Sequence, residues 1–284
     1  MLVLSLFPGI GLLDMAFEAE SFCVVRGPDV LWGGDVRSFH PPPGHFAGVI
    51  GGPPCQAFSA LANLVRAKGN EPRFGNLIPE FERCAMEADP DWLLMENVPR
   101  APVAHIGPHS MIRWTDDGQQ TRLGERLGYA VTDFVLCNSW LDSGNGIGQE
   151  QMRKRRFSFG VRGAGQAPDL RRWIKPAALV LPGRSAVVAD ARETPVAVGG
   201  SGKIKATRQP PVSGAHQCSH RPKGGYGESR TVAEMLRLQG LPEDFLDDAP
   251  FTMQGKRKAI GNGVPLPMGR ALARAVRLAM EGAG

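Results

Sequence analysis

Short apolar runs alternate with longer segments of helical periodicity over the first 160 residues of the chain. The run Leu2–Leu6 reads as a buried strand, and an amphipathic segment over residues 11–20 follows it as a helix. Further strands are predicted at residues 22–26, 48–50, 92–95, 131–137 and 156–161, and further helices at residues 77–88 and 119–127. This alternation predicts an α/β fold with a mostly parallel sheet wrapped by helices, in which ligands bind at the carboxyl ends of the strands.

The pattern changes between residues 161 and 226, which are rich in proline, glycine and basic residues and lack a helical period. We interpret this stretch as an inserted smaller domain or an extended loop system. Helical spacing returns at Thr231–Leu238 and again at Leu266–Met280. The chain is therefore predicted to comprise a large domain over residues 1–160, a small irregular region over residues 161–226, and a C-terminal segment over residues 227–284 that returns to the first domain.

The composition describes a folded globular chain, with 42% hydrophobic and 21% charged residues, which excludes a disordered tail or a fibre. The net charge of +5 is unevenly spread. Residues 151–226 hold 15 Lys and Arg against three Asp and Glu, whereas acidic residues are in excess elsewhere. A basic segment on an acidic scaffold favours contact with a polyanion such as nucleic acid, with an affinity that falls as salt is added.

The five cysteines are odd in number, widely spaced and include no CxxC pair, which is typical of a protein from a reducing cytoplasm. Three of them lie in strand-like or helical runs and are predicted to be buried structural residues, namely Cys23, Cys84 and Cys137. Cys218 stands close to His216 and His220, but a fourth zinc ligand is not apparent, so no metal is expected. The N-terminus lacks the basic start of a signal peptide, and no apolar stretch is long enough for a membrane span.

Two segments after predicted strands carry candidate catalytic groups. Two glycines and two prolines rigidify residues 51–54 and present one thiol, Cys55, which neighbouring cations or a helix N-terminus can convert into a nucleophile. Glu96 follows the apolar run Trp92–Met95, which places a carboxyl group at the carboxyl end of a buried strand. The alternative interpretation of Glu96 is a helix cap.

Two further segments allow either a functional or a purely structural interpretation. The glycines of Phe7–Gly11 allow a ligand to approach the backbone at a helix N-terminus, or they simply join a strand to a helix. In the run Gln151–Arg156, an extended backbone puts Arg153 and Arg155 on one face. The alternative for this run is a solvated basic edge.

Taken in order, these segments resemble the motifs of the cytosine-C5 DNA methyltransferase family of bacteria and phages. FPGIG looks like the cofactor loop, GGPPCQ the nucleophile loop, ENV the acidic motif and QMRKR the arginine motif; RTVAEMLRLQGLPEDF and IGNGVPLPM look like the last two motifs. The resemblance covers residues 2–160 and 228–280. It implies a Rossmann-like S-adenosylmethionine-dependent methyltransferase fold, with residues 161–226 as a small target-recognition region.

The resemblance implies DNA (cytosine-5-)-methyltransferase activity on a cytosine flipped out of the duplex. Cys55 would add to C6 of the base in a covalent adduct, and Glu96 would stabilise the charge at N3 and the exocyclic amine. Arg153 and Arg155 would bind the cytosine O2 and orient Glu96. They would also favour the Cys55 thiolate electrostatically. Gln56, which follows Cys55, and Asn97, which follows Glu96, complete the catalytic set. Asn97 would hold the loop.

The resemblance also implies S-adenosyl-L-methionine as the methyl donor, with S-adenosyl-L-homocysteine as the product. Phe7 would lie against the adenine, Asp29 would bind the ribose hydroxyls and Asp35 the adenine amine. The other residues expected in this pocket are Gly9, Ile10, Gly11, Pro53, Asn262 and Val264. Ser5 and Leu12 differ from the residues common in the family at their positions. Only five residues separate Asp29 from Asp35, which predicts a shortened second βα unit.

Two other functions stay open at this point. A tRNA cytosine methyltransferase shares the catalytic motifs, but the variable region shows no match to its Cys-Phe-Thr signature. A catalytically idle DNA-binding relative is disfavoured because the catalytic residues are all present. For the leading function, double-stranded DNA is the expected partner and a cognate restriction endonuclease is a candidate partner. The protein is expected to act as a monomer, in the cytoplasm of a bacterial cell or a phage-infected host.

Overall fold

The computed structural model describes residues 1–54, 75–114, 120–178 and 231–282. The chain divides into two compact units, which we describe separately. The sheet unit comprises residues 1–8, 17–135 and 155–172. The C-terminal unit comprises residues 9–16, 136–154 and those from 173 onward. The predicted target-recognition region lies mostly outside the described residues, so the expected division at residues 160 and 226 stays a prediction.

The described strands are β1 Leu2–Leu6, β2 Cys23–Arg26, β3 Gly48–Gly51, β4 Trp92–Asn97, β5 His109–Trp114, β6 Gln120–Arg126, β7 Tyr129–Cys137 and β8 Lys154–Arg162. The described α-helices are α1 Leu12–Glu18, α2 Ile78–Ala88, α3 Val232–Leu238, α4 Met253–Asn262 and α5 Leu266–Glu281. Of these helices, none is long and apolar enough to cross a membrane.

Six strands form the central sheet, in the order β2-β1-β3-β4-β8-β7. Strands β2, β1, β3 and β4 pair in parallel, and β8 runs antiparallel to β4. Because β1, β3 and β4 are parallel, their carboxyl ends meet at one edge of the sheet. The predicted α/β fold with a mostly parallel sheet is thus confirmed.

Both faces of the sheet are covered by apolar side chains. On one face, helix α2 contributes Phe81 and Ala85 to a buried cluster that also contains Leu4, Val49 and Leu93 from three strands. On the other face, the Trp92 ring lies 6.1 Å from Phe17, 5.9 Å from Phe22 and 6.4 Å from Phe159, measured between ring centroids. Every residue of β4 is buried, as expected of a strand covered on both faces.

The predicted helix over residues 119–127 is wrong. Residues 120–126 form strand β6, which pairs antiparallel with β5 as a separate two-stranded sheet. Gly124 has φ of 116°, which a helix cannot contain, and the register shifts between Met111 and Ile112. Pairing with β5 therefore overrides the local spacing of apolar residues that suggested a helix.

The second βα unit is shortened, as the spacing of Asp29 and Asp35 predicts. Between β2 and β3 the chain makes two short 3₁₀ turns, Val30–Trp32 and Val36–Ser38, where a longer connection would hold a helix. Strand β2 is also the edge strand, and three of its four residues are exposed. Cys23 is exposed for this reason, so its predicted burial is wrong, whereas Cys84 and Cys137 are buried as predicted.

In the C-terminal unit, helices α3 and α4 share a core cluster. It is built from Leu12, Met235, Leu236, Leu238, Leu241, Leu246 and Ile260. Helix α3 begins with a capping box, in which Thr231 and Glu234 each satisfy a backbone N–H of the other. Helix α4 was not predicted from the sequence, because only Ile260 and Gly261 of its ten residues are buried.

Candidate active site

Glu96 and Arg155 form a buried ion pair at the end of β4. Arg155 Nε lies 2.7 Å from Glu96 Oε1, and the two side chains are 5% and 10% exposed. Glu96 is paired in register with Phe157, so Arg155, two residues before Phe157 on β8, projects from the same face of the sheet. This geometry excludes a solvated edge for Arg155, and in the described part of the chain Glu96 is paired with a guanidinium and does not cap any of the helices.

Asn97 ties the end of β4 to the loop that follows β3. Its Nδ2 donates a hydrogen bond to the Pro53 carbonyl over 3.2 Å, and its Oδ1 accepts one from the Val98 backbone. Cys55 follows Pro53 by two residues in the sequence. The hydrogen bond therefore fixes the backbone segment that leads directly to the thiol, in keeping with the expectation that Asn97 holds this loop.

Gly52 brings the same loop against Glu96. A Cβ atom placed on Gly52 would stand 3.0 Å from Glu96 Oε2, closer than ordinary van der Waals contact. A glycine at this position thus lets the loop backbone pack directly on the carboxylate. The sheet unit in this way brings together Glu96, Arg155, Asn97 and Pro53, while Cys55 and Gln56 lie outside the described residues.

Arg153 has different partners, in the C-terminal unit. Its Nη2 donates to the carbonyl of Gly261 over 2.6 Å and to that of Gly263 over 2.9 Å, and the residue is only 1% exposed. These carbonyls lie at the C-terminal end of α4, where backbone oxygens lack helical donors and a cation is favourable. Arg153 thus fastens the IGNGVP turn, and the roles at the cytosine that the resemblance implies for Arg153 and Arg155 stay a prediction.

Gln239 is a second residue that fastens this turn, and it is not among the site residues predicted from the sequence. Its Nε2 donates to the Ile260 carbonyl over 2.6 Å and to that of Gly263 over 3.3 Å. Gln239 is fully buried at the end of α3. The available signal was its place between Leu238 and Leu241 in an apolar run, because a buried polar residue is usually fixed by hydrogen bonds.

The two residues of IGNGVP expected at the cofactor differ in exposure. Val264 is buried and Asn262 is exposed at the last residue of α4. Because Arg153 and Gln239 hold the carbonyls on both sides of Asn262, its position is set by buried hydrogen bonds rather than by its own packing.

The backbone around the FPGIG turn has unusual dihedral angles. Phe7, Gly9 and Gly11 all have positive φ, of 56°, 58° and 82°. Such angles are costly for a phenylalanine and are typically retained at functional sites. No described atom lies within 4 Å of the point where a Cβ on Gly9 would stand. The backbone at Gly9 is therefore open to close approach by a ligand, as a cofactor loop requires.

Asp29 and Asp35 both cap the 3₁₀ turns after β2. Asp29 Oδ1 accepts from the Leu31 N–H over 2.7 Å, and Asp35 Oδ1 accepts from the Arg37 N–H over 3.0 Å. These bonds fix the carboxylates in position, while Asp35 stays exposed and Asp29 partly exposed. Both carboxylates can therefore accept hydroxyl or amine donors of a ligand.

Cys84 does not have the features of a nucleophile. Burial raises the pKa of the Cys84 thiol to about 12, the neighbouring Arg83 opposing this shift only in part. Within the described residues, no group of three His, Cys, Asp or Glu side chains is arranged to hold a metal ion. The candidate ligands His216, Cys218 and His220 lie outside that part of the chain.

Residues 34–176 match the family model of the C-5 cytosine-specific DNA methylases, a span that includes Glu96 and both arginines. The chain belongs to this family. Among curated relatives of the chain, M.HgiDI, a Type II methyltransferase of Herpetosiphon aurantiacus, is 32% identical over 114 residues, which cover 40% of the chain and 30% of the relative. M.NgoPII, a Type II methyltransferase of Neisseria gonorrhoeae, is 29% identical over 181 residues, which cover 57% of the chain and 48% of the relative. The chain thus spans less than half the length of either relative.

Solved structures share the fold of this chain at low sequence identity. A prophage protein of E. coli described as a DNA modification methyltransferase has a TM-score of 0.53 at 16% identity, with 99% of each chain covered. The Dnmt2 methyltransferase of S. pombe has a TM-score of 0.51 at 13% identity, with 100% of this chain and 99% of that chain covered. The fold is therefore that of S-adenosylmethionine-dependent methyltransferases, as the sequence motifs imply.

Proposed function

We propose that this protein is a DNA (cytosine-5-)-methyltransferase that methylates C5 of a cytosine flipped out of duplex DNA. The observation that carries the proposal is the buried Glu96–Arg155 pair beside the loop that leads to Cys55. A buried carboxylate held by a guanidinium, next to a strand-end loop with a thiol, is the set of groups that nucleophilic attack on a pyrimidine requires. Membership of the C-5 cytosine-specific family supports the choice of base and carbon.

The reaction begins at Cys55, whose thiolate adds to C6 of the cytosine ring. The ring electrons move towards C5, and Glu96 stabilises the charge by holding a proton at N3 and accepting from the exocyclic amine. Arg155 fixes the Glu96 carboxyl group in one orientation. The activated C5 would take up the methyl group as its bond to the sulfonium sulfur of the donor breaks, which would leave S-adenosyl-L-homocysteine. Loss of the C5 proton and cleavage of the bond between sulfur and C6 then restore the aromatic ring and the thiolate.

The methyl donor of the family is S-adenosylmethionine, which supplies an electrophilic methyl group when bound. The open backbone at Gly9 and the fixed carboxylates of Asp29 and Asp35 fit such a ligand. We assign Phe7 and the FPGIG turn to the adenine and methionine portions, and Pro53, Asn262 and Val264 to the rest of the pocket. Arg153 contributes to this pocket by holding the IGNGVP turn.

The proposal extends to partners and setting. Double-stranded DNA is the substrate, and the target sequence is read by the region over residues 161–226. The matched relatives are Type II methyltransferases by name, which favours a cognate restriction endonuclease as a partner in a bacterial or phage-infected cytoplasm. The protein acts as a monomer, which sedimentation analysis of the free protein and its DNA complex tests.

Trapping on 5-fluorocytosine tests the mechanism, since fluorine cannot leave C5 as a proton does. Wild-type protein should form a covalent adduct on duplex DNA that contains 5-fluorocytosine. Cys55→Ala should bind S-adenosylmethionine but form no adduct, whereas the control Cys23→Ala, at an exposed thiol on the edge strand, should form it normally. Substantial turnover by Cys55→Ala would refute the covalent mechanism.

Sequencing DNA from cells that express the protein tests the substrate. Bisulfite or nanopore reads should show methylated cytosines in one sequence context, absent from cells that express Cys55→Ala. Methylation confined to tRNA would support the tRNA methyltransferase alternative. Binding to DNA without methylation or adduct would support the idle relative.

A further inference from the structure

Arg83 on helix α2 joins that helix to the second 3₁₀ turn after β2, Val36–Ser38. Its Nη2 donates to the Val36 carbonyl over 2.7 Å, and its Nη1 donates to the Phe39 carbonyl over 3.1 Å. Val36 is the first residue of the turn, and Phe39 directly follows its last residue. One guanidinium therefore holds this turn at both ends, although neither the catalytic set nor the cofactor set contains Arg83.

Two carboxylates on the same helix fix the guanidinium in place. Glu80, one helical turn before Arg83, accepts from its Nε over 2.9 Å, and Glu87, one turn after it, accepts from its Nη1 over 2.8 Å. The Arg83 side chain is only 25% exposed. Charged hydrogen bonds on both sides restrict the rotamers of a long side chain, so the entropy cost of binding the two carbonyls is reduced.

The turn that Arg83 holds presents Asp35, the residue that we assign to the adenine amine of the cofactor. Asp35 caps the turn: its Oδ1 accepts from the Arg37 N–H, and its carbonyl accepts from the Ser38 hydroxyl over 3.1 Å. Its Oδ2 lies 3.4 Å from Arg37 Nη1, and both of these side chains are about half exposed. All these contacts are internal to the turn. The position of the Asp35 carboxylate on the sheet unit therefore depends on what anchors the turn.

The shortened second βα unit explains why the turn needs an anchor on another element. A 3₁₀ turn of three residues makes few backbone hydrogen bonds of its own, and of these three residues only Val36 is buried. The Val36 side chain belongs to the same apolar cluster as Phe81 and Cys84 of α2. Helix α2 thus supplies the turn with apolar contacts and, through Arg83, with two charged hydrogen bonds.

We infer that Arg83 is a positioning residue for the cofactor, which holds Asp35 where its carboxylate accepts the exocyclic amine of adenine. The inference rests on the proposed S-adenosylmethionine site and adds a residue that acts through Asp35. Its consequence is base specificity, because a fixed carboxylate accepts from an amine and repels a carbonyl oxygen at the same ring position. Loss of Arg83 should therefore reduce the preference for adenine more than the affinity for the rest of the cofactor.

Calorimetric titration with two ligands that differ only at this ring position tests the inference. S-adenosyl-L-homocysteine carries the amine, and S-inosyl-L-homocysteine carries a carbonyl oxygen in its place. Wild-type protein should bind the adenine ligand at least about tenfold more tightly. Arg83→Met should weaken the adenine ligand about tenfold and the inosine ligand less than about twofold. Arg83→Lys, which can still donate to one carbonyl, should show a smaller loss of the same preference.

Two further variants separate positioning from a general effect on the fold. Asp35→Ala should lose the preference for adenine, and adding Arg83→Met to it should cause no further loss, since both act through one carboxylate. The matched control is Arg126→Met in the same unit, which breaks the ion pair of Arg126 with Asp89 at 2.7 Å, where the arginine is 33% exposed. This control should keep both affinities within about twofold of wild type.

The ratio of the two affinities decides the outcome. Equal weakening of both ligands by Arg83→Met would overturn the positioning role in favour of general support of the fold, and an unchanged ratio would overturn it outright. If Arg83→Met does not fold, Arg83→Lys decides by the same ratio. If wild-type protein binds both ligands equally yet methylates DNA, the assignment of Asp35 and Arg83 fails and the proposed function stands. If it binds neither ligand and transfers no methyl group, the proposed function itself fails.

Discussion

Replacing Arg155 with methionine removes the guanidinium from the buried Glu96 carboxylate while keeping a long side chain at the position. The two side chains are only 5% and 10% exposed, so water cannot readily take over the role of the cation. Breaking a buried pair by removing one partner typically costs about 3–5 kcal/mol, because the remaining charge stays in a poorly solvated place. We expect Arg155→Met to lower the free energy of unfolding by about that amount.

The double variant Arg155→Met with Glu96→Gln tests the cause of this loss. Glutamine has the shape of glutamate without its charge, so the double variant should regain at least half of the lost stability. Both variants should be inactive in methyl transfer, since each lacks part of the proposed catalytic set. Stability and activity therefore respond differently, which a merely misfolded protein would not show.

These differences in the free energy of unfolding are measured by urea denaturation, monitored by tryptophan fluorescence and circular dichroism. They appear as shifts of the transition midpoint when the dependence of the free energy on urea concentration is unchanged. The matched control is Arg237→Met, which breaks the pair with Glu150 at 2.8 Å, where the side chains are 55% and 43% exposed. An exposed pair of this kind is worth at most about 1 kcal/mol. If Arg155→Met costs no more than Arg237→Met, or if the double variant is no more stable than the single one, the charge argument is refuted.

Three further experiments test other parts of the structure. Arg153→Met should weaken S-adenosylmethionine binding at least about tenfold in calorimetry, because the two turn carbonyls lose their hydrogen-bond donor. The control Lys258→Met, on the exposed side of α4, should leave the affinity unchanged. Equal affinities of the two variants would contradict the role of the turn. Between pH 7 and about 10, a thiol reagent should modify the exposed Cys23 at once and the buried Cys84 only on unfolding, as measured by mass spectrometry. The raised pKa of Cys84, about 12, keeps its thiol protonated in this range. Early labelling of Cys84 would contradict this expectation. In urea unfolding, Thr231→Ala should lower the free energy of unfolding by about 1 kcal/mol, because it removes the cap of α3. Thr231→Ser keeps the hydroxyl and should lower it much less. Equal losses for the two variants would argue against capping.

The central strands β1, β3 and β4 could be predicted because each is a short run of mostly buried residues with few polar interruptions. Strand β4 illustrates this, since its apolar run ends in Glu96 and the carboxyl group therefore lies at the edge where parallel strands end. The register with β8 could not be predicted, because pairing between distant segments depends on tertiary packing. That register is what places Arg155 on the face of Glu96.

Two elements, β6 and α4, differ from what the spacing of apolar residues in their own segments predicts. Strand β6 carries helical apolar spacing, yet the pairing with β5 and the backbone angle of Gly124 make it a strand. Helix α4 lacks an apolar stripe, yet Thr252 caps its N-terminus and Ile260 anchors it in the core of the C-terminal unit. In both cases contacts from other parts of the chain supply stability that local propensity does not.

The arginine motif shows most clearly what a sequence pattern cannot predict, namely the partner of each side chain. Alternation correctly groups Arg153 and Arg155 as inward-facing residues, but it does not say what each one meets. The structure gives Arg155 a carboxylate in the sheet unit and gives Arg153 two carbonyls in the C-terminal unit. In the proposed mechanism the guanidinium on the Glu96 carboxylate orients that group at the base, whereas the guanidinium on backbone carbonyls fixes the shape of a turn. Substitutions at the two positions should therefore have separate phenotypes, one in the chemical step and the other in cofactor affinity, and neither arginine can substitute for the other.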